Sequence, residues 1–177
     1  MLDTLITNKT RIKLLLRFFL NAESSAYLRG LEEEFGESTN AIRVELNRFE
    51  DAGLLTSGRE RNKKVFRANM KHPLYDDIHG ILRKHIGLDR IIEQVVQKLG
   101  NISRAYVIGA LAMGLDTNKV ELVLVAETID REYLDKCILK AESLIKRKIS
   151  STVLKEAEEK KYLTDHPGIL LIWGKGS

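Results

Sequence analysis

The sequence has a single cysteine, Cys137, among its 177 residues, which excludes an internal disulfide and any thiolate cluster supplied by one chain. Cys137 is expected to pack in a helix rather than act as a reactive thiol. Proline is nearly absent, at two residues, and no stretch approaches the roughly 18 uninterrupted apolar residues of a membrane span. The most apolar N-terminal stretch, LLLRFFL, is broken by Arg17 and has no small-residue cleavage site, so it is a poor signal peptide. These absences predict a cytoplasmic protein with no membrane partner. Excess charge is also small, a formal +4, so its distribution says more than its sum. What is present, 44% hydrophobic and 31% charged residues, is the composition of a folded chain long enough for one medium domain or two small ones.

From the N-terminus, Ile12, Leu15, Leu16, Phe19 and Leu20 recur at three-and-four spacing, with Thr7 or Asn8 available as a cap, and predict a first amphipathic helix. A short second helix is expected in SSAYLRGLEEEFG, capped by Ser24 or Ser25, with Leu28, Leu31 and Phe35 inward and Gly36 as its stop. A third follows within a few residues, capped by Ser38 or Thr39, with Ile42, Leu46 and Phe49 on one face and an end at Gly53. Two short helices joined by so tight a turn form a helix-turn-helix arrangement. The next segment, LLTSGRERNKKVFRANMK, reads as strand, polar turn and strand, a wing directly after the third helix. From Ser57 to Lys71 it holds Arg59, Arg61, Lys63, Lys64, Arg67 and Lys71 against Glu60, a local balance of +5. A charge run is usually a solvated face, but this one stands where a wing meets a phosphate backbone.

Residues 5 to 70, with STNAIRVELNRFEDAGLL as their signature, resemble a winged helix-turn-helix domain of the ArsR-like transcriptional regulator type. The resemblance implies binding of double-stranded DNA. The metal-sensing members use cysteine or histidine clusters, and with none here metal sensing is not implied. With Ile42, Leu46 and Phe49 inward, the outward side of the third helix holds Ser38, Thr39, Asn40, Arg43 and Asn47. Arginine can bond guanine in two places and asparagine can do the same with adenine. These five, with Arg59, Arg61, Lys63 and Lys64 of the wing, are the expected DNA-binding residues.

After a His72–Pro73 stop, Leu74, Ile78, Ile81, Leu82 and Ile86 predict a connecting helix, bent or interrupted near Gly87. Regulators of this shape commonly dimerise through such helices, so a homodimer is expected. His72, His79 and His85 read as surface or capping residues, not metal ligands. The remaining order is strand (AYVIG), glycine turn, strand (VELVLVA), helix (Arg131 to Arg147), strand (ISSTVL), helix (Lys155 to Tyr162) and a last strand (GILLIWG). The runs Val120 to Val125 and Ile169 to Trp173 are almost wholly apolar and predict strands covered on both faces. The expected class is α+β: a winged helix-turn-helix domain over 1–72, a helical linker over 73–89, and a small mixed-sheet α/β domain over 90–177.

Residues from about 90 to 173 are similar to the minimal nucleotidyltransferase domains of the DNA polymerase β superfamily. Their motif is Gly-Ser, a few residues, Gly, then Asp-x-Asp on the next strand. Gly109 and Gly114 match the glycines and Ala112 fits the small position between them. Ala110 stands at the serine, Lys119 at the first aspartate and Glu121 at the second. Such chemistry needs closely placed carboxylates to hold Mg²⁺ against a triphosphate. Lys119 repels a cation, and ISSTVL, where a third acid belongs, contains none; Glu156 lies beyond it. The expectation is a degenerate nucleotide site (Gly109, Ala110, Gly114, Lys119, Glu121), with no catalytic residue, metal or cofactor, on a chain that is not an enzyme. Its turn would present backbone N–H groups to an anion, or the domain would serve dimerisation or protein docking. The function expected is a DNA-binding transcriptional regulator. The alternative is an active nucleotidyltransferase, with Glu121 helped by another acid such as Asp116.

Overall fold

The structure, a computed structural model, describes residues 2–166 and 168–174. Met1, Pro167 and residues 175–177, which the expected domain bounds include, lie outside the described residues. The chain divides into two compact units, one up to His85 and one from Ile86 on, a division inside the segment expected as a linker. The class is mixed α+β. No helix among the described residues is long and apolar enough to cross a membrane.

The first unit runs α1 (Leu2–Leu5), α2 (Lys9–Leu15), a π-helical turn (Leu16–Leu20), β1 (Ser25–Tyr27), α3 (Leu28–Phe35), α4 (Thr39–Asp51), β2 (Leu55–Glu60), β3 (Lys63–Ala68) and α5 (Tyr75–Ile86). Asn8 caps α2, its side chain accepting from the Arg11 amide at 3.1 Å. The expected inward set of the first helix changes because the helix widens into the π turn. Leu16, Phe18, Phe19 and Leu20 are all buried, Leu14 as well, and Ile12 only half so. Neither Ser24 nor Ser25 caps the second helix. Ser25 pairs with Arg67 of β3, and α3 starts after Tyr27 with no side-chain cap. The three strands form an antiparallel sheet in the order β1-β3-β2. Gly36 ends α3 at φ 62°, a left-handed conformation that suits glycine, and Ser38 then caps α4 through the Ala41 amide at 3.3 Å.

Helix α4 buries Ile42, Leu46 and Phe49 as expected, and also Glu45, which is 2% exposed. Glu45 accepts from Arg11 Nε at 2.7 Å and Nη2 at 3.2 Å, from Asn8 Nδ2 at 3.1 Å and from Arg48 Nη1 at 2.7 Å. Helix α5 packs on the same core: Tyr75 lies 5.6 Å from Phe19, ring to ring, and His79 Nδ1 is 2.6 Å from the Phe19 carbonyl oxygen.

The second unit runs α6 (Leu88–Ile91), a π-helical turn (Ile92–Val96), α7 (Gln97–Leu99), β4 (Arg104–Ile108), β5 (Lys119–Val125), α8 (Arg131–Ile145), β6 (Lys148–Leu154), α9 (Glu156–Thr164) and β7 (Ile169–Trp173). Its sheet has the order β6-β5-β4-β7, with β5 and β6 parallel and the other pairs antiparallel. Strand β5 is covered on both faces, with Val120 and Leu122 to Val125 buried. Strand β7 is not: Leu170 and Ile172 are buried while Ile169 and Leu171 are half-buried and Trp173 is exposed, because β7 is an edge strand. Cys137 is buried in α8.

The Arg11 guanidinium holds the Glu45 carboxyl below its ordinary value of 4.5, against the opposing effect of burial, with Arg48 adding to the shift. A carboxyl depressed in the folded state contributes stability above the unfolded pKa and loses it as pH falls through the folded one. Glu45→Gln is expected to lower unfolding free energy at pH 7 by about 2 kcal/mol, the scale of hydrogen bonds to a charged group. Urea unfolding of both proteins should show the gap narrowing as pH drops below 4.5.

Candidate nucleic-acid interface and the glycine turn

Strands β2 and β3 are joined by Arg61 and Asn62, both at positive φ (44° and 66°). That is the pattern of a two-residue hairpin turn whose twist matches the strands, made here without glycine. It brings the hairpin against α4. Arg43, Leu46 and Asn47 of α4 and Asn62, Lys63 and Lys64 of the hairpin line one hollow of about 450 Å³, closed on a further side by Tyr27, Leu28 and Arg29.

Of the expected DNA-binding residues, Arg43, Asn47, Lys63 and Lys64 therefore meet in one place. Ser38 spends its hydroxyl on the α4 cap, Thr39 is half-buried, and Asn40, Arg59 and Arg61 are exposed away from the hollow. The cationic balance of the hairpin is smaller than its sequence suggests. Lys64 Nζ is 2.6 Å from Glu50 Oε2, and Arg67 Nη2 is 2.6 Å from Glu60 Oε1. Lys64 holds the Glu50 carboxyl below its ordinary value, with Ser57 contributing. Lys63 Nζ stands 4.2 Å from the centroid of the Tyr27 ring, a cation–π contact that leaves its charge outward. Arg43, Arg59 and Arg61 make no ion pair among the described residues. The sequence reading missed Tyr27 and Arg29. Nothing local marked them, since Tyr27 reaches the hollow only through the pairing of β1 with β3.

In the second unit Gly109 follows β4 at φ 72° and Gly114 closes the turn at φ 85°. A Cβ on Gly109 would overlap the Glu121 carboxylate, which folds over the turn. Lys119 and Glu121, two apart on β5, share a face, with Lys119 Nζ 3.4 Å from Glu121 Oε1; both side chains are well exposed. The expectation of a row of turn amides facing a cleft holds poorly. The amides of Met113, Gly114 and Leu115 bond to carbonyls of Gly109, Leu111 and Ala110 within the turn, and the Gly109 amide bonds to Gly168. Asp116, the acid named to assist Glu121, lies 2.7 Å from Arg147 Nη1.

These residues do not fit a divalent ion held between carboxylates. The ammonium of Lys119 occupies the neighbourhood of the single acid on the strand, and no group of three or more His, Cys, Asp or Glu side chains among the described residues is placed to hold a metal.

A second cluster in this unit was not anticipated. Arg104 donates to Glu159 from Nε and Nη2, each at 2.7 Å, and the Tyr106 hydroxyl donates to Glu159 at 2.5 Å. Burial and the Glu159 carboxylate push the Tyr106 phenol up to about 12, while Arg104 holds Glu159 below its ordinary value. The cluster ties α9 to β4 beside a hollow of about 610 Å³. Its sequence trace is slight: Arg104 and Tyr106 sit two apart on a strand, 53 residues or more from their acid.

Lys119→Asp places a carboxylate beside Glu121 where an ammonium now stands. The variant is expected to gain a melting-temperature rise on adding Mg²⁺ or Mn²⁺ that the unaltered protein does not show, since an ion that binds only the folded state must raise the midpoint.

No protein-family model and no curated protein sequence matches the chain. It is similar to the solved structure of a tri-AMPylated HEPN toxin from Shewanella oneidensis in complex with MNT antitoxin, at 13% identity over 52% of this chain and 73% of that one, TM-score 0.39. It is also similar to a toxin–antitoxin structure with AMP-PNP, at 15% identity over 50% of this chain and 73% of that one, TM-score 0.40. A third is a Sulfolobus solfataricus protein provisionally classed as a nucleotidyltransferase, at 20% identity over 52% of this chain and 82% of that one, TM-score 0.37. The likeness is one of fold, to the nucleotidyltransferase type. The ArsR-like resemblance has no counterpart among these three. The expectation that the chain is not an enzyme is corrected by them: structures of this type include a complex with an AMPylated toxin and one with AMP-PNP, so the substitutions in the glycine turn do not decide the matter.

Proposed function

We propose that the first unit is a winged helix-turn-helix that binds double-stranded DNA, and that the chain is a DNA-binding regulator carrying a nucleotidyltransferase-like second unit. The observation that carries this reading is the hollow in which Arg43 and Asn47 of α4 stand opposite Lys63 and Lys64 of the hairpin. Arg43 and Asn47 have the chemistry to read base edges. Lys63, with Arg59 and Arg61 beyond the hollow, has the chemistry to displace counterions from phosphates. Lys64, already paired with Glu50, contributes less of its charge.

Selection of genomic DNA fragments on the purified protein at near-physiological salt, followed by sequencing, tests this. Enrichment of a discrete sequence is expected, and Arg43→Ala should weaken binding to that sequence by about tenfold or more, the scale of one bidentate base contact. Its loss on random duplex should be smaller; equal losses on both would remove Arg43 from base reading.

A second reading, nucleotidyl transfer to a protein or small-molecule acceptor, is the one toward which the similar structures point, one of them joining an MNT antitoxin to a tri-AMPylated toxin. In this chain Glu121, folded over Gly109, is the acid nearest the turn. Incubation with labelled nucleoside triphosphates and Mg²⁺ or Mn²⁺ tests it. Label transfer that Glu121→Gln abolishes supports this reading, and no transfer to the protein or to added acceptors counts against it.

A further inference from the structure

Gly80 stands in the middle of α5, where glycine is entropically costly compared with alanine. A Cβ built there would meet nothing within 4 Å, so no close approach inside the protomer requires it. Next to it the helix exposes Ile81 at 46%, and Leu74, just before its first residue, at 53%; Tyr75, Leu82 and Ile86 are buried on the other side. Charge is graded along the helix, with Asp76 and Asp77 in the first turn and Arg83, Lys84 and His85 in the last. At helical spacing Asp77, Gly80, Ile81 and Lys84 share one outward face. Asp77 and Lys84 are both exposed and make no ion pair among the described residues.

We propose that this face packs against the same face of a second copy of the chain, the two α5 helices running antiparallel about a two-fold axis between Gly80 and Ile81. That axis sets Asp77 of each copy against Lys84 of the other, and Ile81 of each into the space left by Gly80 of the other. Both halves of the charge pairing and both halves of the knob-and-hole pairing come from one sequence, which is why a second copy, and not an unrelated protein, fits it. A parallel pairing would instead set Asp77 against Asp77 and Lys84 against Lys84. The missing side chain at Gly80 lets the axes come to the near end of the usual range of about 8–10 Å. A twelve-residue helix is only about 18 Å long at 1.5 Å per residue. The contact therefore falls below the roughly 1,200 Å² of a stable interface, and the dimer is a weak, concentration-dependent one. It stands apart from the DNA-binding reading and does not rest on it.

Sedimentation equilibrium of the full chain at low salt tests the contact. The expected result is a monomer–dimer equilibrium in which Asp77→Lys and Lys84→Asp each raise the dissociation constant about tenfold, since a two-fold contact counts each like-charge clash twice. Combining the two reversals should bring it back toward the original value, and Gly80→Leu should weaken the dimer by filling the hole. All these positions face solvent, so the variants fold, which circular dichroism checks. A chain that stays monomeric throughout, or a dimer that neither reversal weakens or that the double reversal fails to restore, overturns the proposal.

Discussion

A carboxylate with almost no contact with water sets the geometry of the first unit. Glu45 sits midway along α4, and an ionised acid is tolerated there only because Asn8, Arg11 and Arg48 together satisfy it. Asn8 serves twice, since it also caps α2 through the Arg11 amide. The start of α2 and the middle of α4 are therefore joined through one charge. A slide of α4 by one turn would strand that charge, so the helix has one register. Arg43 and Asn47 lie two residues to either side of Glu45, and at about 100° per residue they point away from it. The acid that faces inward thus decides which side chains face outward toward the hairpin.

The second unit repeats the device at another place. Arg104, Tyr106 and Glu159 join β4 to α9 with short, partly buried bonds, and Tyr162 and Leu163 of α9 pack on Ile108, Val123 and Leu154 beneath. The pair at the glycine turn differs in kind. Lys119 and Glu121 are separated by 3.4 Å and well exposed, so their attraction is screened and of little worth to stability. One pair holds a helix on the sheet; the other is free to respond to whatever charge approaches the turn.

Much of this was legible in the sequence, and the misses have specific causes. The cap at Ser38, the stripe Ile42–Leu46–Phe49, the hairpin and the order of the later strands are short-range features, set by local chemistry and periodicity. Glu45 was invisible because a charged residue at a helical position reads as solvated, and its partner Arg11 lies 34 residues away. Strand β1 has only three residues and exists because β3, some forty residues later, accepts it. The π turn broke the three-and-four rule that identified the first helix, so Leu14 and Phe18 were assigned outward. Strand β7 looks like β5 in composition, but its place at the sheet edge bares one face. For the candidate site, residue types on α4 and the hairpin were readable, while the pairing of Lys64 with Glu50 and the ring of Tyr27 under Lys63 depend on packing. The glycine turn was readable as a turn, but not the carboxylate lying across it.

Weak self-association and DNA binding reinforce one another by ordinary linkage. A single α4 and hairpin offer few phosphate contacts, because two of the six hairpin cations are already paired within the protein. One protomer then holds DNA with modest affinity and marked salt sensitivity. When two protomers share a duplex, the second binds at an effective concentration set by the α5 contact and by the spacing of the half-sites, and the gain can reach about a hundredfold or more without any new base contact. By the same reciprocity, adjacent half-sites tighten the α5 contact by the factor that the contact tightens DNA binding. A strong dimer would be paired at every concentration and on every sequence. A weak one assembles where two half-sites lie at the right separation, so the poverty of the α5 interface becomes a source of discrimination between paired and isolated sites.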